Sequence, residues 1–186
     1  MPCSEYELGL KKEVTVRLSG LGLAPAEHCI VVSIDQQKLW FFEGGEVETF
    51  VVSTARAGRG CVQDSLRTPD GLHRVGEKFG DGAPAGMVFK ARRATGRLAS
   101  EWPTPEDNLI TSRIFWLEGL EPGHNQGRDA ADRVVDSRSR FVYIHGTNQH
   151  AMLGRPNSHG CVLMSDDDII RLHPRVPVGT IVLIRD

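Results

Sequence analysis

No run of apolar residues in this chain approaches the roughly 20 consecutive positions that a membrane-spanning helix needs. Cysteine is scarce: Cys3, Cys29, Cys61 and Cys161 are the only four among 186 residues, and no two form a Cys-x-x-Cys pair. That excludes a disulfide scaffold at this length and leaves zinc-ribbon and thioredoxin-like readings without support. An excess of either charge is also missing. The net charge of −2 and pI near 6.4 supply no field that would draw nucleic acid or an anionic membrane. Neither G-x-G-x-x-G nor G-x-x-x-x-G-K-[ST] occurs, so nucleotide binding has no motif behind it. Met1 to Leu18 lacks a basic segment followed by an apolar one, which implies a chain made without a leader or one whose leader has been removed.

What is present is an ordinary globular composition, 40% hydrophobic and 25% charged. A chain of this length buries about 70% of its unfolded surface as one domain. Cys29–Ile34, Lys38–Phe42 and Val47–Ser53 are rich in β-branched and aromatic residues and predict three strands. Gly44-Gly45 supplies the positive φ of a tight hairpin between the second and third. Gly58-Arg59-Gly60 reads as a plain loop. Thr68-Pro69-Asp70-Gly71 predicts a turn into a strand at Leu72–Val75, with His73 as a structural histidine. Leu109–Leu117, Arg140–Ile144 and Val176–Ile184 predict further strands. Ser165 followed by three aspartates marks a helix start. Residues 3–19 fit two patterns, since their alternation suits a strand while Tyr6, Leu10 and Val14 suit a helix face. Residues 76–140 are the least regular, with arginines and aspartates interspersed over 128–140 as on a solvated face. Arg92 and Arg93 read as a solvated pair, Trp40 and Trp116 as core, Trp102 as a candidate groove residue, and Cys3, Cys29 and Cys61 as a terminal thiol, a strand-edge residue and a loop thiol.

The chemistry concentrates in Ile144-His145-Gly146-Thr147 and Asn157-Ser158-His159-Gly160-Cys161-Val162, with Cys161 sixteen positions after His145. A cysteine becomes nucleophilic when a base takes its proton. His145, at a strand end, is the candidate base, with a backbone carbonyl as a candidate to orient its ring. Gly160 lets the chain bend sharply, so that consecutive amides around Gly160 and Cys161 can point at a developing oxyanion. His150 reads as a loop histidine. A metal site from Cys161, His145, His150 and His159 lacks the usual zinc-ligand spacing.

These segments together resemble the catalytic domain of the L,D-transpeptidases, the YkuD-like family. Ile30-Val31-Val32, Gln37-Lys38-Leu39-Trp40, Glu43-Gly44-Gly45, Val52-Ser53-Thr54, Thr68-Pro69-Asp70-Gly71 and Val178-Gly179-Thr180-Ile181-Val182 agree with it in order. The resemblance covers about residues 29–184. It implies a mainly β, sandwich-like fold with short helices and a long, irregular, lid-like insertion: a catalytic domain over 29–186 with residues 1–28 as an extension packed on it. It implies a peptidoglycan L,D-transpeptidase acting in cell-wall biogenesis and cell shape, in the periplasm or cell wall. Cys161 would form a thioester at the diaminopimelate L-centre of a tetrapeptide stem, releasing D-Ala, and pass the acyl group to an amine. His145 would be the base, oriented by the Gly146 carbonyl, and the amides of His159, Gly160 and Cys161 would form the oxyanion hole. Ser158, Thr147 and Asn157 would contact substrate. Carbapenems would acylate Cys161, and no cofactor or metal is implied. The same residues would serve an L,D-carboxypeptidase with water as acceptor, and a catalytically degenerate wall-binding domain is the non-enzymatic alternative. One departure stands out: where the family commonly has Arg or Asn two residues after the cysteine, this chain has Leu163.

Overall fold

The computed structural model describes residues 3–104 and 106–186. Ten strands form one hydrogen-bonded sheet: β1 (Cys29–Ser33), β2 (Lys38–Glu43), β3 (Glu46–Val51), β4 (Gly71–Phe79), β5 (Met87–Lys90), β6 (Arg93–Leu98), β7 (Ile110–Gly119), β8 (Tyr143–Gly146), β9 (Val162–Met164) and β10 (Ile181–Arg185). Two α-helices accompany them, α1 (Glu5–Gly20) and α2 (Asp166–Leu172). The sheet runs β3-β2-β1-β10-β4-β7-β5-β6, and β8 and β9 branch from β7. The fold is mainly β, as expected, but its layers are parts of a single curled sheet.

The curl arises at β7. Its residues 114–116 pair with β4 on one side and β8 on the other, while Ile110 and Thr111 pair with β5. β8 and β9 thus fold over β1, β2 and β10, and a backbone bridge from Ser53 to Leu163 ties the far edge down. Ile30, Val32, Leu39, Phe41, Phe115, Ile144, Val162 and Ile169 fill the space between them.

Residues 3–19 resolve to a helix. Ser4 caps it: its hydroxyl accepts from the Glu7 amide while the Glu7 carboxylate accepts from the Ser4 amide. Leu10, Val14 and Leu18, at helical spacing, bury against Val31, Trp40, Phe42, Leu72 and Leu183 on the outer face of the sheet. The competing alternation fails because Leu8 and Val16 face solvent. The β2–β3 hairpin turns at Gly44 and Gly45, with φ of 56° and 85°, the left-handed pair a two-residue turn demands.

Residues 76–140 are more regular than their composition suggests. β4 continues to Phe79, and β5 and β6 form a hairpin that adds to β7. The strand predicted from Arg140 begins at Tyr143, after a turn in which Phe141 takes a φ of 56°. The closing strand starts at Ile181, after the Pro177–Thr180 turn.

Leu18, buried to 1% exposure, should cost about 2–4 kcal/mol when cut to Ala. Urea unfolding followed by circular dichroism checks this: an unchanged midpoint would show that α1 docks without stabilising the sheet.

Candidate active site

His145 lies in β8 and Cys161 immediately precedes β9, its parallel neighbour. The register sets Ile144 opposite Val162 and His145 opposite Leu163, so Cys161 falls level with Tyr143. Cys161, Tyr143 and His145 then project to the same side of the strand pair. His145 and Cys161 line one cavity of about 170 Å³ with Asn108, Ile110, Ser158, His159 and Leu163.

The His145 ring is buried, and its Nδ1 sits 2.7 Å from the Gly146 carbonyl oxygen. A carbonyl only accepts, so Nδ1 carries the proton and Nε2 keeps its lone pair. Burial holds the imidazole neutral, its pKa pushed down to about 4 and only partly offset by the Gly146 bond and the Asp166 charge. Cys161 is partly exposed. Its Sγ accepts from the Tyr143 amide at 3.4 Å and lies 3.6 Å from the Phe141 carbonyl, to which it donates. Desolvation pushes the thiol up to about 11, against the pull of the Tyr143 amide and the Arg140 charge. The resting pair is therefore a neutral thiol and a neutral imidazole.

Gly160 has a φ of 137°, a backbone conformation that disfavours a side chain. Its amide donates to Ser158 Oγ at 3.2 Å, and Ser158 Oγ donates to the Cys161 carbonyl at 2.5 Å. Ser158 thus staples the loop that carries Cys161. The amides of His159 and Cys161 make no hydrogen bond among the described residues, leaving two of the three expected donors for an oxyanion. Thr147 and Asn157 are buried. Thr147 Oγ1 pairs with Asn108 and the Gln149 amide, and the Asn157 side chain pairs with Arg56 and Gln149. Their polar atoms hold the surrounding loops. Leu163 is buried and lines the cavity, so the wall at the departure position is apolar.

Several residues at the site gave no signal in the sequence. Asp166 reads as a first-turn helix acid, yet its carboxylate reaches back to accept from Thr111 Oγ1 at 2.6 Å and Ser112 Oγ at 2.5 Å, with exposed His150 at 3.3 Å. Thr111 and Ser112 stand at a bulge where the β7–β8 register shifts, and Ser112 has a φ of 60°. A Cβ on Gly146 would meet the Thr111 carbonyl at 2.6 Å and Asp166 Oδ1 at 2.7 Å, so the bulge closes only on glycine. Arg140, expected on a solvated face, is half-buried. It donates to the carbonyls of Gly60, Cys61 and Arg67, clamping that loop beside the nucleophile. Arg92 is no solvated charge either, because it lies over Trp116 at 4.3 Å and donates to Tyr143 Oη at 3.0 Å. Arg138 also lies over that ring, at 4.2 Å, so half-buried Trp116 meets two guanidinium groups. Trp102 instead meets Lys90, at 5.0 Å.

Two titrations follow. Alkylation of Cys161 by iodoacetamide, read by peptide mass, should rise about tenfold per pH unit from about pH 6 to about pH 10, following the thiolate fraction; a plateau at neutral pH would reveal a thiolate–imidazolium pair. His73, buried against the Gly71 carbonyl and Ser137, also has its pKa pushed down to about 4 by desolvation. With His73 and His145 both depressed from an ordinary value of about 6.5, the unfolded chain binds protons first. Stability should hold above about pH 6.5 and fall from there toward about pH 4, as urea midpoints across that range would record.

The L,D-transpeptidase catalytic domain (YkuD) family model matches residues 27–184. YqjB of Bacillus subtilis is 45% identical over 71 residues, covering 38% of this chain and 40% of its own length. The probable L,D-transpeptidase ErfK/SrfK of Salmonella typhimurium is 26% identical over 163 residues, covering 84% of this chain and 44% of its own. The chain thus spans less than half the length of these two curated relatives. Among solved structures, L,D-transpeptidase 3 from Mycobacterium tuberculosis in complex with a faropenem-derived adduct shares the fold, with a TM-score of 0.54 at 16% identity over 88% of this chain and 62% of that one. With residues 27–184 matched, and with a cysteine and a histidine lining one cavity, the chain belongs to the YkuD family of L,D-transpeptidase catalytic domains.

Proposed function

We propose that this protein is a cysteine acyltransferase of peptidoglycan, an L,D-transpeptidase, working where cell-wall stem peptides are exposed. The observation that carries the reading is His145: its Nδ1 is tied to the Gly146 carbonyl, which leaves the Nε2 lone pair as the base in the cavity it shares with Cys161.

In this reading Cys161 Sγ attacks the carbonyl carbon at the L-centre of diaminopimelate in a tetrapeptide stem, and the thiol proton passes to His145 Nε2. The Tyr143 amide already points at the sulfur and favours the anion as it forms. The carbonyl oxygen takes up negative charge facing the amides of His159 and Cys161. As the intermediate collapses, the C–N bond breaks and D-Ala leaves with the proton from His145. An acceptor amine then attacks the thioester, gives its proton to His145, and releases the thiol. Neither starting group is charged, so the low dielectric that opposes a resting thiolate imposes no penalty until substrate seals the site. Ser158, Thr147 and Asn157 act by holding loops. The apolar Leu163 wall places the polar recognition of the stem on other residues.

With purified muropeptides, product masses decide the acceptor: a cross-linked dimer marks transfer to an amine, whereas a tripeptide alone marks hydrolysis. Cys161→Ala should abolish turnover with the fold intact. His145→Ala should lower kcat/KM by about 10²–10⁴, as loss of a general base does, and near-normal rates in that variant would remove His145 from the role. Incubation with a carbapenem should add one drug mass to the wild type and none to Cys161→Ala. An intact fold that forms neither adduct nor product would leave only the wall-binding alternative.

A further inference from the structure

Away from the catalytic cavity, two loops that are distant in sequence bring a thiol, an imidazole and a carboxylate to one point. Cys61 Sγ lies 3.5 Å from Asp70 Oδ1 and 3.7 Å from His124 Nε2, and His124 Nε2 lies 3.3 Å from Asp70 Oδ1. A fourth donor atom, Glu121 Oε2, stands 3.8 Å from the same imidazole nitrogen. Each of the first three residues offers one ligand atom, and these atoms are mutually within 4.8 Å.

The triangle has the dimensions of a tetrahedral face. Zinc bonds of about 2.3 Å to sulfur and about 2.0–2.1 Å to nitrogen and oxygen, opened to the tetrahedral angle, separate N from O by about 3.4 Å and S from either by about 3.6 Å. The observed edges of 3.3, 3.5 and 3.7 Å need shifts of only about 0.1 Å to accept such an ion at those bond lengths. Hydrogen bonding alone accounts less well for the convergence. The single Nε2 of His124 faces a thiol and two carboxylates at once, and as a donor it has one proton to offer.

The backbone beneath the cluster is held independently of any ion. Buried Asn125 donates its side-chain amide to the carbonyls of Asp70 and Leu72, and the Leu120 amide donates to the Leu72 carbonyl. Glu121 Oε1 accepts from the Leu72 amide. On the other side Arg140 grips the Cys61 carbonyl at 2.8 Å. Cys61 is buried while His124 is exposed, so the point of convergence opens to solvent and an ion can enter. Gly119 permits the approach, since a Cβ there would fall 1.9 Å from the Asn125 carbonyl.

We infer that Cys61, Asp70 and His124 form a binding site for a zinc-class divalent metal ion, with Glu121 or water at the fourth position. The mixed thiolate, imidazole and carboxylate set suits a borderline-soft, tetrahedral ion and not calcium or magnesium. Binding displaces the thiol proton of Cys61 to solvent and joins thiolate to metal. The ion clips the 58–70 loop to the 119–127 loop. The first of these is the loop that Arg140 holds beside the nucleophile, so the site would stiffen one flank of the catalytic cavity without taking part in its chemistry.

Chelator-stripped full-length protein should be titrated with Co²⁺ and followed by absorption, with Zn²⁺ then used to displace it. The Cys161→Ala variant removes the thiol that shares a cavity with His145 and His159. The expected result is one Co²⁺ per chain in the wild type and in Cys161→Ala, with a thiolate charge-transfer band and the strong visible absorption of tetrahedral cobalt. The band should vanish in Cys61→Ser and in His124→Ala. His124 is exposed, so its variant tests the site even where the Cys61 variant fails to fold. Zn²⁺ should raise Tm in Cys161→Ala and leave His124→Ala unmoved. No stoichiometric band in Cys161→Ala, or a band that survives in His124→Ala, would overturn the assignment.

Discussion

A bulge buried in the middle of a sheet leaves backbone and side-chain polar groups that the ladder no longer satisfies. In this protein the arrangement around one such bulge sets the geometry of the strand that carries His145. Between Thr111 and Ile114 the register of β7 against β8 shifts, and Ser112 takes a left-handed conformation. The Asp166 carboxylate accepts from both hydroxyls, while the Arg113 guanidinium donates to the Ser112 carbonyl and, 2.8 Å away, to that of Ala83. The Gly86 amide donates to Ser112 Oγ at 2.8 Å. On the far side of the bulge sits Gly146, which has no side chain because the space is full. Its carbonyl orients His145. Buried polar groups that are fully partnered rigidify a unique arrangement, whereas a half-satisfied set is costly. The orientation of the candidate base thus depends on a carboxylate from the following helix and on a serine whose backbone strain is held by its neighbours.

The same economy of charge extends to Cys161, the candidate nucleophile. It has a backbone amide from Tyr143, a carbonyl from Phe141 and, at longer range, the Arg140 guanidinium. Fixed backbone dipoles stabilise a charge where it develops without first having to reorganise. They do so from strands and stapled loops, with Ser158 bridging the Gly160 amide and the Cys161 carbonyl. Arg140 couples this flank to the 60–67 loop through three carbonyls. A hydrogen-bonded frame therefore surrounds both the candidate site and the Cys61 cluster, and the connection between them is backbone.

Much of the strand framework was legible because it rests on local rules. β-branched runs, the Gly44-Gly45 turn, the Thr68–Gly71 turn and the Ser165 cap need only nearest neighbours to specify them. The motifs at His145 and Cys161 were legible because few roles require a cysteine behind a glycine near a strand-end histidine. Residues 3–19 stayed ambiguous since an apolar pattern every second and every fourth position coincides over a short segment. Only docking onto the sheet picks the face carrying Leu10, Val14 and Leu18. The stretch from 76 to 140 looked irregular because β5 and β6 are short and mostly polar outward, and their strand state comes from pairing with β7.

Sequence alone, then, determined that this is a mainly β protein and singled out Cys161 and His145 as its candidate site, since both readings depend on residue type and local order. Tertiary structure decided everything that depends on which distant groups share a buried volume. It turned Asp166 from a first-turn helix acid into the anchor of the bulge. It moved Arg140 from a solvated face to the flank of Cys161, and it buried Thr147 and Asn157 in hydrogen bonds to Asn108, Gln149 and Arg56. It also gathered Cys61, Asp70 and His124 from separate loops. Sequence spacing carries no record of such meetings, because the cost of burying a polar group is settled only by what the folded chain places opposite it.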